Sequence, residues 1–218
     1  MSETTLGVGI VGCGLIGRKR AAALCGARLA ACADADEGRA RALAATAGAE
    51  ACGWRDLVRR GDVDMVVVAT TNDALAEISI AALEAGKHVL VEKPAARNVA
   101  ELDRVIAAAK ASGRLVRVGF NHRYHPALRK ARELFEAGAL GPMMFVRGRY
   151  GHGGRVGYEK EWRADPAKSG GGELIDQGVH LIDLAGCFLG DFTDVAGHAA
   201  TMFWSMPVDD NEIGRAHV

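Results

Sequence analysis

Apolar and polar positions along the chain fall into two alternating patterns. Short runs that are apolar at nearly every position are separated by stretches in which apolar residues recur three to four positions apart. Gly7–Val11, Leu29–Ala33, Val63–Ala69, His88–Val91 and Leu115–Phe120 read as strands. The run VDMVVVA at 63–69 is the strongest. A strand apolar on both faces belongs in a parallel sheet covered on both sides. Ile16–Cys25, Glu37–Ala47, Asp73–Ala85 and Val99–Ser112 read as helices, the last two followed by the helix-stopping glycines Gly86 and Gly113. This alternation, held as far as Phe120, predicts a doubly wound α/β fold with right-handed crossovers.

Past Phe120 the pattern changes. Pro126–Ala137 reads as a helix that tolerates Pro126 near its start. Met143–Tyr150 and Val195–Phe203 read as strands, and Glu173–Leu189 as a helix. Between them, Gly151–Gly172 is a long, glycine-rich polar loop carrying His152, Arg155, Tyr158, Lys160, Trp162 and Arg163. A loop of that length in a compact domain is commonly functional or disordered. These elements are too few for a closed second core, so residues 121–211 are expected to be an incomplete domain. Asp209–Glu212 could begin a further strand. The final Ile-Gly-Arg-Ala-His-Val resembles the translation of a common sequencing adapter. Residues 212–218 are therefore expected to be a non-native tail on a C-terminally truncated chain.

Composition narrows the function classes. Among 218 residues, 27 Lys and Arg balance 27 Asp and Glu, which leaves no net field to hold nucleic acid. No apolar run approaches the ~18–20 residues of a membrane-spanning helix. Leu6–Ile16 is preceded by Glu3 and followed by Arg18, Lys19 and Arg20, the wrong charge order for a signal peptide. Five cysteines, an odd number with no CxxC pair, suit free thiols in a reducing compartment, and the expected location is the cytoplasm.

Three motifs carry candidate chemistry. Gly12-Cys13-Gly14-Leu15-Ile16-Gly17 ends the first strand and opens the first helix, the setting a dinucleotide-binding turn needs. Gly12 permits the tight turn, Gly14 lets backbone approach a pyrophosphate, and Gly17 permits close helix–strand packing. Asp34 ends the second strand, where a carboxylate can accept from both ribose hydroxyls and repel a 2′-phosphate. NAD is therefore expected rather than NADP, which Arg39 keeps in view. Glu92-Lys93-Pro94 follows the fourth strand, at the carboxyl edge where open α/β sheets bind ligands. Asp176 and His180, four apart on one helix, would share a face, so Asp176 could orient the imidazole. Each motif has a structural reading as well: a glycine turn, a surface ion at a strand end, a satisfied His–Asp pair. No metal site is expected, since only His122 or His152 could extend the pair.

Taken together, the GxGxxG turn with Asp34, VDMVVVATTN, AGKHVLVEKP, VGFNHRY and EWRADPAKSGGGELIDQGVHLID resemble the Gfo/Idh/MocA family of glucose–fructose oxidoreductases and inositol dehydrogenases. The resemblance covers residues 6–211. It implies a Rossmann domain at 1–120 and a second α/β domain with an open, mostly antiparallel sheet that often mediates homo-oligomers. It also implies pyridine-nucleotide oxidation or reduction of a secondary alcohol in a sugar, cyclitol or nucleotide sugar. Lys93, Asp176 and His180 match the family's catalytic positions. Thr70, Thr71 and Asn72 match the loop passing the cofactor, with Glu92, Lys93 and Asn121 as further contacts beside Leu15 and Ile16. Asn121, Arg123, Tyr158, Trp162 and Arg163 are the expected substrate neighbours of Lys93, Asp176 and His180. Leu75 stands where the family often has His, which puts a local packing or cofactor contact in doubt. The alternatives are an enzyme of the same fold that recycles tightly held NAD without net redox, and a non-catalytic NAD-binding regulator.

Overall fold

The computed structural model describes residues 5–151 and 153–218, so His152 lies outside the described residues. The chain divides into two compact units, Met1–Gly119 and Phe120–Val218.

The first unit is built on a six-stranded parallel sheet. In chain order its elements are β1 (Gly7–Val11), α1 (Leu15–Ala22), β2 (Arg28–Ala33), α2 (Glu37–Ala45), β3 (Glu50–Ala51), α3 (Trp54–Leu57), β4 (Met65–Val68), α4 (Asn72–Glu84), β5 (His88–Val91), α5 (Val99–Ser112) and β6 (Val116–Val118). The strands lie in the order β3-β2-β1-β4-β5-β6, the order of a dinucleotide-binding doubly wound fold. Alternation along each central strand sends side chains to two separate cores. Val8, Ile10, Cys32 and Val67 pack with Ala40, Leu43 and Ala44 of α2. Val11, Ala31, Ala33, Val66 and Val68 pack with Leu75, Ile78, Leu83 and Val105 of α4 and α5. Leu75 is fully buried there, so at the position where the family often has His this chain has core packing.

Element ends differ from expectation for local reasons. The last strand shortens to Val116–Val118 because its only pairing is with β5, at the sheet edge. The pair β3 and α3 has no periodic signature, being two and four residues long.

In the second unit, a 3₁₀ turn (Asn121–Tyr124) leads into α6 (Pro126–Glu136). The loop expected at 151–172 contains the 3₁₀ turns Tyr158–Lys160 and Trp162–Ala164 and the short α7 (Pro166–Ser169). A π-helical turn (Leu174–Gly178) runs into α8 (Val179–Leu189). The strands β7 (Asp194–Ala200) and β8 (Asn211–His217) pair antiparallel, Asp194 opposite His217 and Ala200 opposite Asn211. The strand expected at Met143–Tyr150 does not form. Met144 and Phe145 are exposed, and among the described residues no backbone pairs with the segment, while β7 and β8 pair with each other. The other expected strand stops at Ala200 instead of Phe203. Past it, the Asp210 carboxylate accepts from the amides of Met202, Phe203 and Trp204 at 2.7, 2.9 and 2.7 Å, which turns the chain.

Candidate functional site

The glycine turn shows a separate physical reason for each glycine. Gly12 has φ +95°, and a Cβ there would press on the Ala69–Thr70 peptide. A Cβ on Gly17 would collide with the Gly12 carbonyl, which sets how closely α1 approaches β1. A Cβ on Gly14 would meet nothing within 4 Å. Gly14 is also the N-cap of α1, with no side chain capping the first turn. The start of α1 is therefore uncapped by any side chain and has room at Gly14, which is the arrangement a pyrophosphate needs. Leu15 and Ile16, the first residues of α1, are exposed.

Asp34 sits one residue past β2. The amide of Cys13 donates to its Oδ2 at 2.6 Å, and that of Asp36 to its Oδ1 at 2.9 Å. Both oxygens are thus oriented by backbone, and each retains acceptor capacity for a hydroxyl. Beside it the Cys13 thiol donates to the Ala33 carbonyl at 3.4 Å. A hydrogen bond with Cys32, together with burial, pushes the Cys13 thiol well above its ordinary range. All five cysteines are free thiols: Cys13 and Cys32 buried, Cys52 and Cys187 half-buried, Cys25 exposed.

Thr70, Thr71 and Asn72 form the turn from β4 into α4. The Thr70 hydroxyl donates to the Thr71 carbonyl at 3.1 Å, Thr71 is the N-cap, and Asn72 is buried. At the end of β5, Glu92 to Ala95 form a tight turn closed by the Ala95 amide on the Glu92 carbonyl at 2.9 Å, with a cis Lys93–Pro94 peptide. Glu92 itself is tied down: Arg20 of α1 donates from Nε at 2.7 Å to its Oε1. The Glu92 carboxylate therefore joins the end of β5 to α1, and Lys93 follows it half-buried at the turn. Arg20 is a contributor that no sequence motif marked.

In the second unit, Asp176 lies in the π turn and His180 in the first turn of α8; both are buried, 6% and 4% exposed. The expectation of one continuous α-helix over Glu173–Leu189 gives way to this wider turn, a feature frequent at functional sites. Its entry is pinned from the segment ahead of β8. The amides of Gly172 and Leu174 donate to the Asp209 carboxylate at 3.0 and 2.9 Å, and that of Glu173 to the Asp209 carbonyl at 2.9 Å. Gly172 has to be glycine, because a Cβ would overlap the Asp209 backbone. Burial alone would raise the Asp209 carboxyl, but its hydrogen bonds outweigh burial and hold it below the usual carboxylate range.

Several expected substrate neighbours meet partners within this unit. Arg163 donates from Nε to Asp176 Oδ2 at 3.1 Å, pairs with Glu161, and lies 4.6 Å over the Trp162 ring. Gln177 also donates to Asp176, at 3.0 Å. Arg123 makes a bidentate pair with Asp183, at 2.8 and 2.5 Å, which raises the guanidinium's already high pKa. Tyr158 is buried and donates to Glu173; burial first, then that bond, push its hydroxyl well up. Asn121 is exposed. The His180 ring packs 4.0 Å from that of His122, tilted by 30°, with Phe120 and Tyr150 edge-on at 6.0 and 6.2 Å. His122 adjoins Asn121 in FNHRY, and its stacking on His180 could not be read from that motif. Among the described residues no three His, Cys, Asp or Glu side chains gather as a metal site. No helix among them is long and apolar enough to cross a membrane.

Known proteins resemble both units of the chain. Residues 6–120 match the family model of oxidoreductases with an NAD-binding Rossmann fold, and residues 128–215 match the GFO/IDH/MocA C-terminal domain. A levoglucosan dehydrogenase of Pseudarthrobacter phenanthrenivorans is 34% identical over 165 residues, covering 71% of this chain and 40% of that protein. Inositol 2-dehydrogenase 2 of Saccharopolyspora erythraea is 36% identical over 197 residues, covering 85% and 54%. The solved structure of a levoglucosan dehydrogenase with NADH and levoglucosan superposes with a TM-score of 0.91 at 30% identity, covering 98% of this chain and 64% of that one. The chain thus spans about half the length of the curated relatives it matches.

Proposed function

Because the chain belongs to the Gfo/Idh/MocA family of oxidoreductases, with an NAD-binding Rossmann domain at residues 6–120, we propose that it acts in the NAD-dependent oxidation or reduction of a secondary alcohol. The substrate class is a sugar, cyclitol or nucleotide sugar, as levoglucosan and inositol dehydrogenation among the relatives suggests. The observation that carries the reading is the chemistry held in one chain. A glycine cradle with Asp34 suits a dinucleotide, and Lys93, Asp176 and His180 supply a cation, a carboxylate and an imidazole.

When bound, NAD would supply the hydride acceptor. Asp34 accepts from the ribose hydroxyls, and Gly12, Gly14, Leu15, Ile16 and Gly17 form the surface the pyrophosphate meets. Thr70, Thr71, Asn72 and Asn121 complete the cofactor contacts. His180 takes the hydroxyl proton as general base, a role typically worth ~10²–10⁴-fold. Lys93 donates a hydrogen bond to the reacting oxygen and stabilises its developing negative charge. Asp176, held by Arg163 and Gln177, fixes the polar environment of His180. Arg163, Tyr158 and Arg123 act mainly by shaping the walls, since their polar groups meet Asp176, Glu173 and Asp183, and Trp162 adds its ring beneath the Arg163 guanidinium. The five free thiols favour a reducing cytoplasm. Exposed Met144, Phe145, Val195, Phe203 and Ile213 in the second unit favour a homo-oligomer.

The test is a panel of cyclitols, anhydrosugars and nucleotide sugars offered with NAD, read as NADH formed and released. Release with one class of polyol supports the reading. NADH that forms and is consumed without release points instead to internally recycled cofactor. Dinucleotide binding with no redox on any member points to a regulator.

A further inference from the structure

Beside Asp34 lies a cavity of about 490 Å³ between α1 and α2, lined by Arg18, Asp36, Gly38, Arg39, Ala42, Leu43 and Thr46. Two cations on its wall, at the adenosine end of a dinucleotide site, are the chemistry that receives a 2′-phosphate. Asp36 changes what they offer. Its Oδ2 lies 3.4 Å from Arg39 Nε, and its Oδ1 accepts from the Arg39 amide at 3.2 Å as the N-cap of α2. Arg41, two residues on, is paired with Glu37 at 3.1 Å. Asp36 is joined to Asp34 as well, since its own amide donates to the Asp34 carboxylate at 2.9 Å. The two carboxylates and Arg39 therefore form one connected group along the wall of the cavity.

We propose that Asp36, by holding Arg39 in an ion pair on this wall, is a second determinant of cofactor choice that acts with Asp34 to refuse a 2′-phosphate. The inference rests on the NAD-binding reading of residues 6–120. Asp34 occupies the ribose hydroxyls, and Asp36 keeps the nearest guanidinium committed to a carboxylate. Removal of the Asp36 charge turns the Arg18–Arg39 wall into an anion site. The effect is modest, because both members of the pair are more than half exposed.

The test is titration of the 218-residue chain with NADH and NADPH, read by nucleotide fluorescence as the ratio of the two dissociation constants. Weak absolute binding cancels in that ratio. Asp36→Asn keeps a capping oxygen for the helix but loses the charge. D36N is expected to shift the ratio toward NADPH by about fivefold, the upper end for a partly exposed ion pair, with NADH affinity within about twofold. D36N with Arg39→Ala is expected to return the ratio to its original value. An unchanged ratio in D36N overturns the proposal. So does a shift that survives R39A, because then Asp36 acts only as a repelling charge. Wild-type preference for NADPH overturns it too. Binding of neither nucleotide contradicts the NAD reading itself and removes the inference with it.

Discussion

At the scale of single residues, Gly17 is among the positions with least room. A methyl there meets the Gly12 carbonyl, which is backbone and cannot rotate away. Gly17→Ala should cost ~1–3 kcal/mol of stability, as overpacking does, and weaken NADH binding; thermal melting with a binding titration checks both. Asp34 takes two backbone amides, so Asp34→Ala leaves those donors without their partner and removes the carboxylate proposed to accept from the ribose. A loss of ~1–3 kcal/mol in NAD binding is expected, and calorimetry on the variant measures it. Lys93 and His180 should behave differently from Asp34. K93A and H180A are expected to lower turnover by about 100-fold or more, far more than they weaken NADH binding. A normal turnover in both variants on an identified substrate would remove the catalytic assignment.

At the scale of elements, the sheet was legible because its strands are apolar on both faces, as in MVVV of β4, and a parallel covered sheet admits little else. The glycine turn and Asp34 were legible for a related reason: backbone geometry and one carboxylate at a strand end leave a local signature. What the sequence did not disclose depends on partners far along the chain. Met143–Tyr150 has strand-forming residues, yet a strand exists only with a neighbour, and here none pairs with it. The π turn at Leu174–Gly178 has the apolar spacing of an α-helix. Its geometry is set by Asp209, some 35 residues away, binding the amides of Gly172 and Leu174. The Arg123–Asp183 and Arg20–Glu92 pairs likewise join positions too distant for any motif to link.

Glu212 of β8 gives this region a pH dependence. Burial, a hydrogen bond with Asp209 and the charge of Asp209 push its carboxyl up to about 8. A carboxyl raised on folding binds its proton more tightly in the folded state, so its contribution is present below the unfolded value and lost as pH rises toward about 8. The β7–β8 hairpin and the π-turn entry should therefore lose stability between about pH 4.5 and pH 8. Glu212→Gln should flatten that slope in denaturant melts of the second unit, and a slope unchanged in E212Q would contradict the assignment.

At the scale of the whole molecule, the two units differ in how well their elements are covered. In the first, Val8, Ile10, Val66, Val67 and Val68 are almost wholly buried, with helices on both faces of the sheet. In the second, six of seven β7 residues are exposed, as are Met144, Phe145, Phe203 and Ile213. Large apolar side chains left exposed in this number mark an interaction surface or a tendency to aggregate. Hydrogen exchange should show β4 amides protected far longer than those of α8 in the 218-residue chain. Equal protection in a monomer would mean that the second unit is self-sufficient. The turnover of this chain is accordingly expected to be low even with Lys93, Asp176 and His180 in place, since a site must be held within about 0.5 Å of its working geometry. The most direct measurement of the central claim is therefore a single-turnover reaction, with protein in excess over NAD, in which NADH absorbance is followed after addition of each cyclitol or sugar. NADH should form with at least one of them in the wild-type chain and in none of the K93A or H180A reactions, while all three proteins bind NADH. Normal NADH binding with no reduction of NAD by any polyol, or equal reduction by H180A and K93A, would contradict the account.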